Sequence, residues 1–175
     1  FVTKVVGYND IDIVLDGDKN DTPIEEEIEE RLTNEFNQRF HILIYTEDAL
    51  THLLEKCPIT NSLFAACISN KPIEVSTKRV VDRKYIQFGL MFPEDLLEVE
   101  LPGKPVYDAL RKVVTILWFL EKKSLYAPDI ENELVNHFGK KLIERLKTNT
   151  AIHENEWIEI RSFLRGKINY IKALL

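Results

Sequence analysis

The fold is decided by Asn9-Asp10-Ile11-Asp12-Ile13-Val14-Leu15, an apolar run with two aspartates at its start. Its branched apolar residues predict a short buried strand. Residues two apart on a strand face the same side of the sheet, so Asp10 and Asp12 present two carboxylates next to each other. Adjacent carboxylates repel unless a cation lies between them, and paired oxygen ligands favour Mg²⁺ or Mn²⁺ over zinc. The stretch therefore predicts a divalent metal site, although two solvated aspartates in a turn before a strand would give the same pattern.

The segments after this strand predict a helix, a second strand and another helix. Thr22-Pro23 supplies an N-cap and a proline at the first helical position, ahead of acidic residues in Ile24–Phe36. Phe40–Thr46 is rich in aromatic and β-branched residues, which favours a core strand, and Thr46-Glu47-Asp48 begins a helix that runs to about Glu55. This order indicates two parallel strands joined by a right-handed crossover.

The remainder of the chain has a predominantly helical pattern. A helix over Asn61–Ile68 and a short edge strand over Ile73–Val75 complete a small α/β unit of residues 1–75. The pattern of Arg79–Phe92 fits helix and strand equally well. Farther on, apolar residues at helical spacing predict three helices: Val106–Lys123, Ile130–Lys147 and Glu154–Leu175. The expected fold class is α+β, with the α/β unit followed by an all-α helical domain over residues 76–175.

Composition limits the classes of protein to which the chain can belong. It has 175 residues, of which 45% are hydrophobic and 30% charged, and this profile is typical of a globular protein with a sizeable core. A net charge of −6 argues against broad nucleic-acid binding. Apolar runs such as Val113–Leu120 are far shorter than the roughly 18 to 20 residues of a membrane span. Cys57 and Cys67 lack metal-site spacing, which favours a reduced, cytoplasmic protein without zinc.

The chain resembles the polymerase-β-like nucleotidyltransferase superfamily, and most closely its minimal nucleotidyltransferase branch. Members of that superfamily carry a Gly-Ser pair, a short loop and then Asp-x-Asp at the start of an apolar strand. Asn9-Asp10-Ile11-Asp12-Ile13-Val14-Leu15 matches the second half of this motif. Phe1–Asn9 has the length of the loop, so we expect the Gly-Ser pair before Phe1. The resemblance extends through Thr60–Ile73, covers a little under half the chain, and implies a small mixed sheet with flanking helices.

The resemblance implies a metal-dependent transfer of a nucleoside monophosphate, with AMP from ATP the expected case, onto a hydroxyl of a small molecule, a protein or an RNA. It makes Asp10 and Asp12 the ligands of Mg²⁺ or Mn²⁺ ions that bridge the phosphates, activate the hydroxyl and neutralise the departing pyrophosphate. The acceptor and the base preference are not specified by the sequence. The family's third carboxylate lies on the neighbouring strand, where this chain has His41.

Histidine at this position leaves three outcomes open, because a neutral imidazole is a poorer Mg²⁺ ligand than a carboxylate. In the first, catalysis needs Asp10 and Asp12 alone. In the second, Glu47 or Asp48 supplies a third carboxylate. In the third, the site binds nucleotide without efficient turnover. The last outcome is a hypothesis of a different class: a non-catalytic regulatory or interaction protein, antitoxin-like or a scaffold, that pairs through its helical domain. A homo-oligomer formed through that domain is compatible with either class.

Charge is distributed unevenly along the sequence. Residues 1–35 hold eleven acidic and three basic residues, whereas basic residues gather later in the chain. Four cations just after the α/β unit are candidate contacts for the nucleotide's phosphates: Lys78, Arg79, Arg83 and Lys84. A solvated surface would give the same pattern.

A second metal motif follows the first. Asp16-Gly17-Asp18-Lys19-Asn20 together with Glu27 has the spacing of calcium ligands in an EF-hand loop. Asp21, however, stands where that loop needs glycine, and a strand rather than a helix precedes it. An exposed turn before the helix is therefore the better prediction.

Overall fold

The computed structural model describes residues 10–17, 22–65 and 78–175, without the side chains of Asp10, Thr22 and Pro23. The chain divides into two compact units, Phe1–His52 and Leu53–Leu175. The domain boundary predicted after residue 75 and the edge strand predicted over Ile73–Val75 lie outside the described residues. The two units are described separately below.

The first unit contains two parallel strands and the helix that connects them. Its elements are β1 (Asp10–Asp16), α1 (Thr22–Phe36), β2 (Arg39–Tyr45) and the beginning of α2 (Glu47–Lys56). The two strands pair in parallel along their whole length, and the amide of Gly17 continues the ladder by donating to the carbonyl oxygen of Tyr45 at 3.1 Å. The parallel pair predicted from the order of strand, helix and strand is confirmed.

Helix α1 occupies the edge of β2 that faces away from β1. Alternate residues of a parallel strand bond to the neighbouring strand, so the amides of Ile42 and Ile44 point to the other side. There they donate to carboxylates of α1, Ile42 to Glu29 at 2.7 Å and Ile44 to Glu25 at 2.8 Å. Two glutamates therefore satisfy the outer edge of β2 in the way that a further strand would.

The second unit is a helical bundle built around one central helix. Its helices after α2 are α3 (Pro58–Phe64), α4 (Arg83–Asp95), α5 (Gly103–Leu120), α6 (Ala127–Phe138), α7 (Lys140–Lys147) and α8 (Glu154–Leu174). Helix α5 packs against α3, α4, α6, α7 and α8. Five consecutive residues of α5, from Val113 to Leu117, are buried. A helix that is buried on every side in this way forms the centre of a core.

One part of this bundle resolves an ambiguous sequence pattern, and another part differs from the prediction. The ambiguous Arg79–Phe92 segment forms helix α4, which begins where the side chain of Asp82 accepts a hydrogen bond from the amide of Lys84 at 2.9 Å. The single helix predicted over Ile130–Lys147 is wrong, because the chain breaks into α6 and α7 at Gly139. Gly139 has φ +81°, a conformation that glycine adopts without the strain other residues would bear.

The coarse fold class is as predicted: the described residues form a small parallel β-pair with helices and a larger all-α unit. No helix in the described ranges combines the length and the apolar character needed to cross a membrane. Helix α5 is long enough to be considered, but its first ten residues include Lys104, Asp108, Arg111 and Lys112.

Candidate functional site

The candidate site lies on the strand pair of the first unit, where Asp12 and His41 meet. The two residues are opposite each other in the register of β1 and β2. The Nδ1 atom of His41 is 3.3 Å from the Oδ1 atom of Asp12, and the two side chains are 55% and 52% exposed. The tautomer with hydrogen on Nδ1 donates this bond. Both groups therefore remain open to a ligand from solvent.

The parallel register explains why these two side chains meet. Paired residues of neighbouring strands lie about 4.8 Å apart and project from the same face of the sheet. The sequence prediction placed His41 beside the aspartates on the neighbouring strand, and the structure brings His41 to Asp12. Asp10 precedes Asp12 by two residues on β1 and is opposite Arg39 in the register. The position of the Asp10 carboxylate lies outside the described residues.

The bond between Asp12 and His41 is weak enough for a ligand to replace. Ion pairs between groups this exposed contribute about 0 to 1 kcal/mol, because water screens them and side-chain entropy opposes them. An incoming cation can therefore replace His41 as the partner of the Asp12 carboxylate at a small cost in free energy. The pair is better suited to binding than to holding the two strands together.

The donor atoms of Asp12 and His41 differ in the cations that they suit. Within residues 10–17, 24–65 and 78–175, no three histidine, cysteine, aspartate or glutamate side chains converge on one point that could hold a metal ion. Asp12 and His41 offer one carboxylate and one imidazole, and Asp10 is the next oxygen donor along the strand. Carboxylates suit Mg²⁺ and Mn²⁺, whereas imidazole suits softer ions of the first transition row. A carboxylate that acts with oxygen atoms of a ligand suits Mg²⁺ as well as Mn²⁺.

Glu47 and Asp48, the alternative third carboxylates, are exposed residues in the first turn of α2. They follow the carboxyl end of β2, whereas His41 is the third residue of that strand. Tyr45 lies four positions beyond His41 on the extended strand, a rise of about 13 Å. The geometry therefore does not favour either residue as a partner of Asp12.

Arg39 is a residue at this site that the sequence analysis missed. It is exposed, and it precedes His41 by two residues on β2, so both side chains leave the same face of the strand. A guanidinium at this place can bind phosphate oxygens in a bidentate way. The alternation of Arg39 and His41 along the strand was visible in the sequence and could have indicated it.

The four cations predicted as phosphate contacts all lie in the second unit. Arg79 donates from Nη1 to the carbonyl oxygens of Lys123 at 2.6 Å and Trp118 at 3.2 Å, and its guanidinium lies 5.4 Å from the centre of the Phe119 ring. These contacts cap the carboxyl end of α5, where carbonyl groups have no partner within the helix. Burial lowers the pKa of Arg79.

The other three cations have different surroundings. Lys78 forms an ion pair with Glu55 at 3.2 Å, and Arg83 donates to the carbonyl oxygen of Leu175. The exposed side chain of Lys84 makes no hydrogen bond or ion pair to any other residue that the structure describes. Three of the four side chains are therefore engaged in contacts of the helical unit.

The alternative calcium loop falls mostly outside the described residues. Asp18, Lys19 and Asn20 are not described, whereas Asp16 ends β1 and Glu27 lies exposed on α1. The structure adds nothing to the sequence argument about this loop.

A polar network in the second unit was also not foreseen. The hydroxyl of Tyr107 donates to Glu131 at 3.1 Å, and Lys147 pairs with the same carboxylate at 2.6 Å. Burial raises the pKa of Tyr107, with a further contribution from Glu131. The three residues come from α5, α6 and α7, so the network joins these helices, and helical periodicity gives no signal for it.

No protein-family model matches the chain, and no match was found among the curated proteins or the solved structures.

Proposed function

We propose that the chain is a metal-dependent nucleotidyltransferase that moves a nucleoside monophosphate, AMP from ATP, onto a hydroxyl acceptor. The observation that carries this proposal is the pairing of Asp12 with His41 on one open face of two parallel strands, next to the register position of Asp10. The resemblance of residues 9–15 to the Asp-x-Asp motif supplies the reaction.

Each residue of the site has a distinct role in the proposal. Asp10 and Asp12 hold the divalent ion, which when bound neutralises charge on the triphosphate and on the departing pyrophosphate. The acceptor's hydroxyl oxygen attacks the α-phosphorus, and pyrophosphate leaves on the opposite side. Neutral His41 takes the proton of the hydroxyl as that bond forms, which is the task of a general base. Arg39 binds the phosphates from the same face of β2.

No role in phosphate binding is assigned to Lys78, Arg79 or Arg83. Each of these side chains already has a partner in the helical unit. Moving Arg79 to a phosphate would leave the end of α5 without its cap. Arg39 replaces this set as the candidate phosphate contact because it shares a strand with His41.

Calorimetric titration of ATP tests the proposal. We expect binding to the 175-residue chain with Mn²⁺ or Mg²⁺, and none with EDTA. Asp12→Asn should weaken binding at least tenfold, whereas Asp16→Asn should not change it. Asp16 is a matched control because it lies on the same strand and the substitution removes the same charge. Equal binding by Asp12→Asn and the unaltered chain would contradict the proposal.

A second candidate function is a nucleotidyltransferase-like protein that binds nucleotide without turnover and acts through its helical unit. It is favoured by the imidazole that stands where the family has a carboxylate and contacts Asp12 at 3.3 Å. Substitution of His41 by aspartate separates the two candidates, with pyrophosphate release from ATP as the readout. If His41 is the base, His41→Asp lowers the rate and His41→Ala lowers it further. If the site is degenerate, the unaltered chain is inactive and His41→Asp gains activity.

A further inference from the structure

Helix α4 carries a stripe of exposed residues on the side that faces away from the core. Lys84, Phe88, Met91 and Asp95 follow one another at spacings of four, three and four, which places them within an arc of about 60° on the helix. Phe88 is 75% exposed and Met91 is 58% exposed. Two large apolar side chains at the centre of such a face are typical of an interaction surface.

The spacing of the four residues in this stripe is symmetric about its centre. Its midpoint falls between Gly89 and Leu90, so a second α4 laid antiparallel across it places Phe88 of each copy on Met91 of the other. The same arrangement places Lys84 of each copy opposite Asp95 of the other. Every contact then occurs twice, as a two-fold symmetric interface requires.

We propose that the α4 stripe is the interface of a homodimer, with two α4 helices packed antiparallel. The charges of the stripe support a second copy as the occupant. The structure gives Lys84 and Asp95 no ion pair with any other described residue, whereas the neighbouring Glu94 pairs with Lys172 at 2.7 Å. Each unpaired charge of the stripe is complementary to the charge that the second copy brings opposite it.

A groove at the carboxyl end of α4 extends this surface. It has a volume of about 430 Å³, and its lining includes the apolar residues Phe92, Leu96 and Val99 and the acidic residues Asp95 and Glu98. In the antiparallel arrangement the groove faces the beginning of the second copy's α4. An apolar side chain from the second copy can pack against the apolar residues of such a groove, and a cation near it can pair with the acidic residues.

The beginning of α4 has that chemistry. Val81, just before the helix, is 51% exposed, and Lys84 lies in the first turn. The same antiparallel placement therefore accounts for the stripe and for the groove.

The dimer should be weak. A single pair of helices and the ends that flank it bury less than the roughly 1,200 Å² at which stable interfaces begin. We therefore expect an equilibrium of monomer and dimer that depends on concentration, with a dissociation constant in the micromolar range. This inference does not depend on nucleotide binding.

Sedimentation equilibrium of the 175-residue chain over a wide range of concentrations tests the proposal. Phe88→Ser should raise the dimer dissociation constant at least tenfold, whereas Ile158→Ser should leave it unchanged. Ile158 is the matched control because it is 67% exposed on α8, outside the stripe. A chain that stays monomeric at every concentration, or a dimer that Phe88→Ser does not weaken, would overturn the proposal.

Charge reversal then tests the antiparallel register. Lys84→Glu and Asp95→Lys should each weaken the dimer, and the two variants mixed together should associate again, because their charges complement each other at both ends. The double variant K84E/D95K should also regain self-association. Failure of both combinations to restore the dimer would overturn the register.

Discussion

The carboxylate of Glu29 accepts a hydrogen bond from the backbone amide of Ile42 at 2.7 Å, on the edge of β2 that β1 does not cover. Glu25 does the same for Ile44 one turn earlier on α1. An open strand edge is a template for association with other chains, and proteins commonly cover it. In the first unit, the helix that connects the strands also covers the edge of one of them.

Glu29→Ala should therefore destabilise the first unit. A buried or half-buried amide that loses its acceptor costs about 1 to 3 kcal/mol. Amide exchange measured by NMR should show faster exchange at Ile42 in this variant. Glu26→Ala is the control, since Glu26 is exposed on the same helix. Unchanged exchange at Ile42 in Glu29→Ala would show that the carboxylate does not hold this edge.

Gly103→Ala should destabilise the helical unit by about 1 to 3 kcal/mol, because the added methyl group meets backbone that cannot easily move. A Cβ at Gly103 would lie 2.8 Å from the carbonyl oxygen and 2.9 Å from the Cα of Leu146. Gly166→Ala should instead stabilise by about 0.5 to 1 kcal/mol, since the site on α8 is open and alanine favours helix. Urea denaturation measures both changes, and equal effects of the two substitutions would refute the close packing of α5 on α7.

The sequence could predict local elements well and long-range contacts poorly. Two runs of β-branched and aromatic residues predicted the parallel strands, because that composition favours extended backbone. The burial predicted for them is wrong, since Ile42 alone is buried among the described side chains of β1 and β2. The break at Gly139 was missed, since the apolar spacing continues from Phe138 to Leu142 and periodicity carries no information on a positive φ angle. The candidate pair of Asp12 and His41 followed from a family resemblance and strand order.

The contacts of Arg79 show why the rest could not be predicted. Its partners Trp118 and Lys123 are 39 and 44 residues away along the chain. A cluster of basic residues in the sequence does not distinguish a helix cap from a phosphate site, because the same basic side chains serve in both. The distinction depends on where the chain brings the end of α5.

Arg79→Ala should therefore act on stability. Loss of the cap leaves carbonyl oxygens at the end of α5 without a donor, which costs about 1 to 3 kcal/mol. Arg79→Lys should recover only part of this, because an ammonium cannot reproduce the planar guanidinium. Thermal unfolding measures the loss, and Lys78→Ala is the control, since its exposed ion pair contributes about 0 to 1 kcal/mol. Equal stability of the two alanine variants would contradict the capping role.

Glu156 should make the stability of the helical unit depend on pH. Burial raises the pKa of its carboxyl group, but the amide of His153 and the guanidinium of Arg145 outweigh this and lower the pKa below its usual value near 4.5. A lowered pKa in the folded state contributes stability that is present above about pH 4.5 and lost as the pH falls through the lowered value.

Denaturation at several pH values measures the contribution of Glu156. Glu156→Gln should be less stable than the unaltered chain at neutral pH, and the difference should shrink as the pH falls below about 4.5 toward the lowered pKa of the folded state. Glu159→Gln is the control on the exposed side of α8. A difference that is constant across this range would contradict the assignment.

The central proposal is that Asp10 and Asp12 bind a divalent cation together with a nucleotide, with His41 beside them. Mn²⁺ broadens the NMR signals of nuclei near it, so imidazole spectra recorded with substoichiometric Mn²⁺ and excess ATP test this claim most directly. The account predicts that the His41 signals broaden selectively, that those of His137 and His153 do not, and that Asp12→Asn abolishes the effect. Equal broadening of all histidines, or selective broadening of His41 that persists in Asp12→Asn, would contradict it.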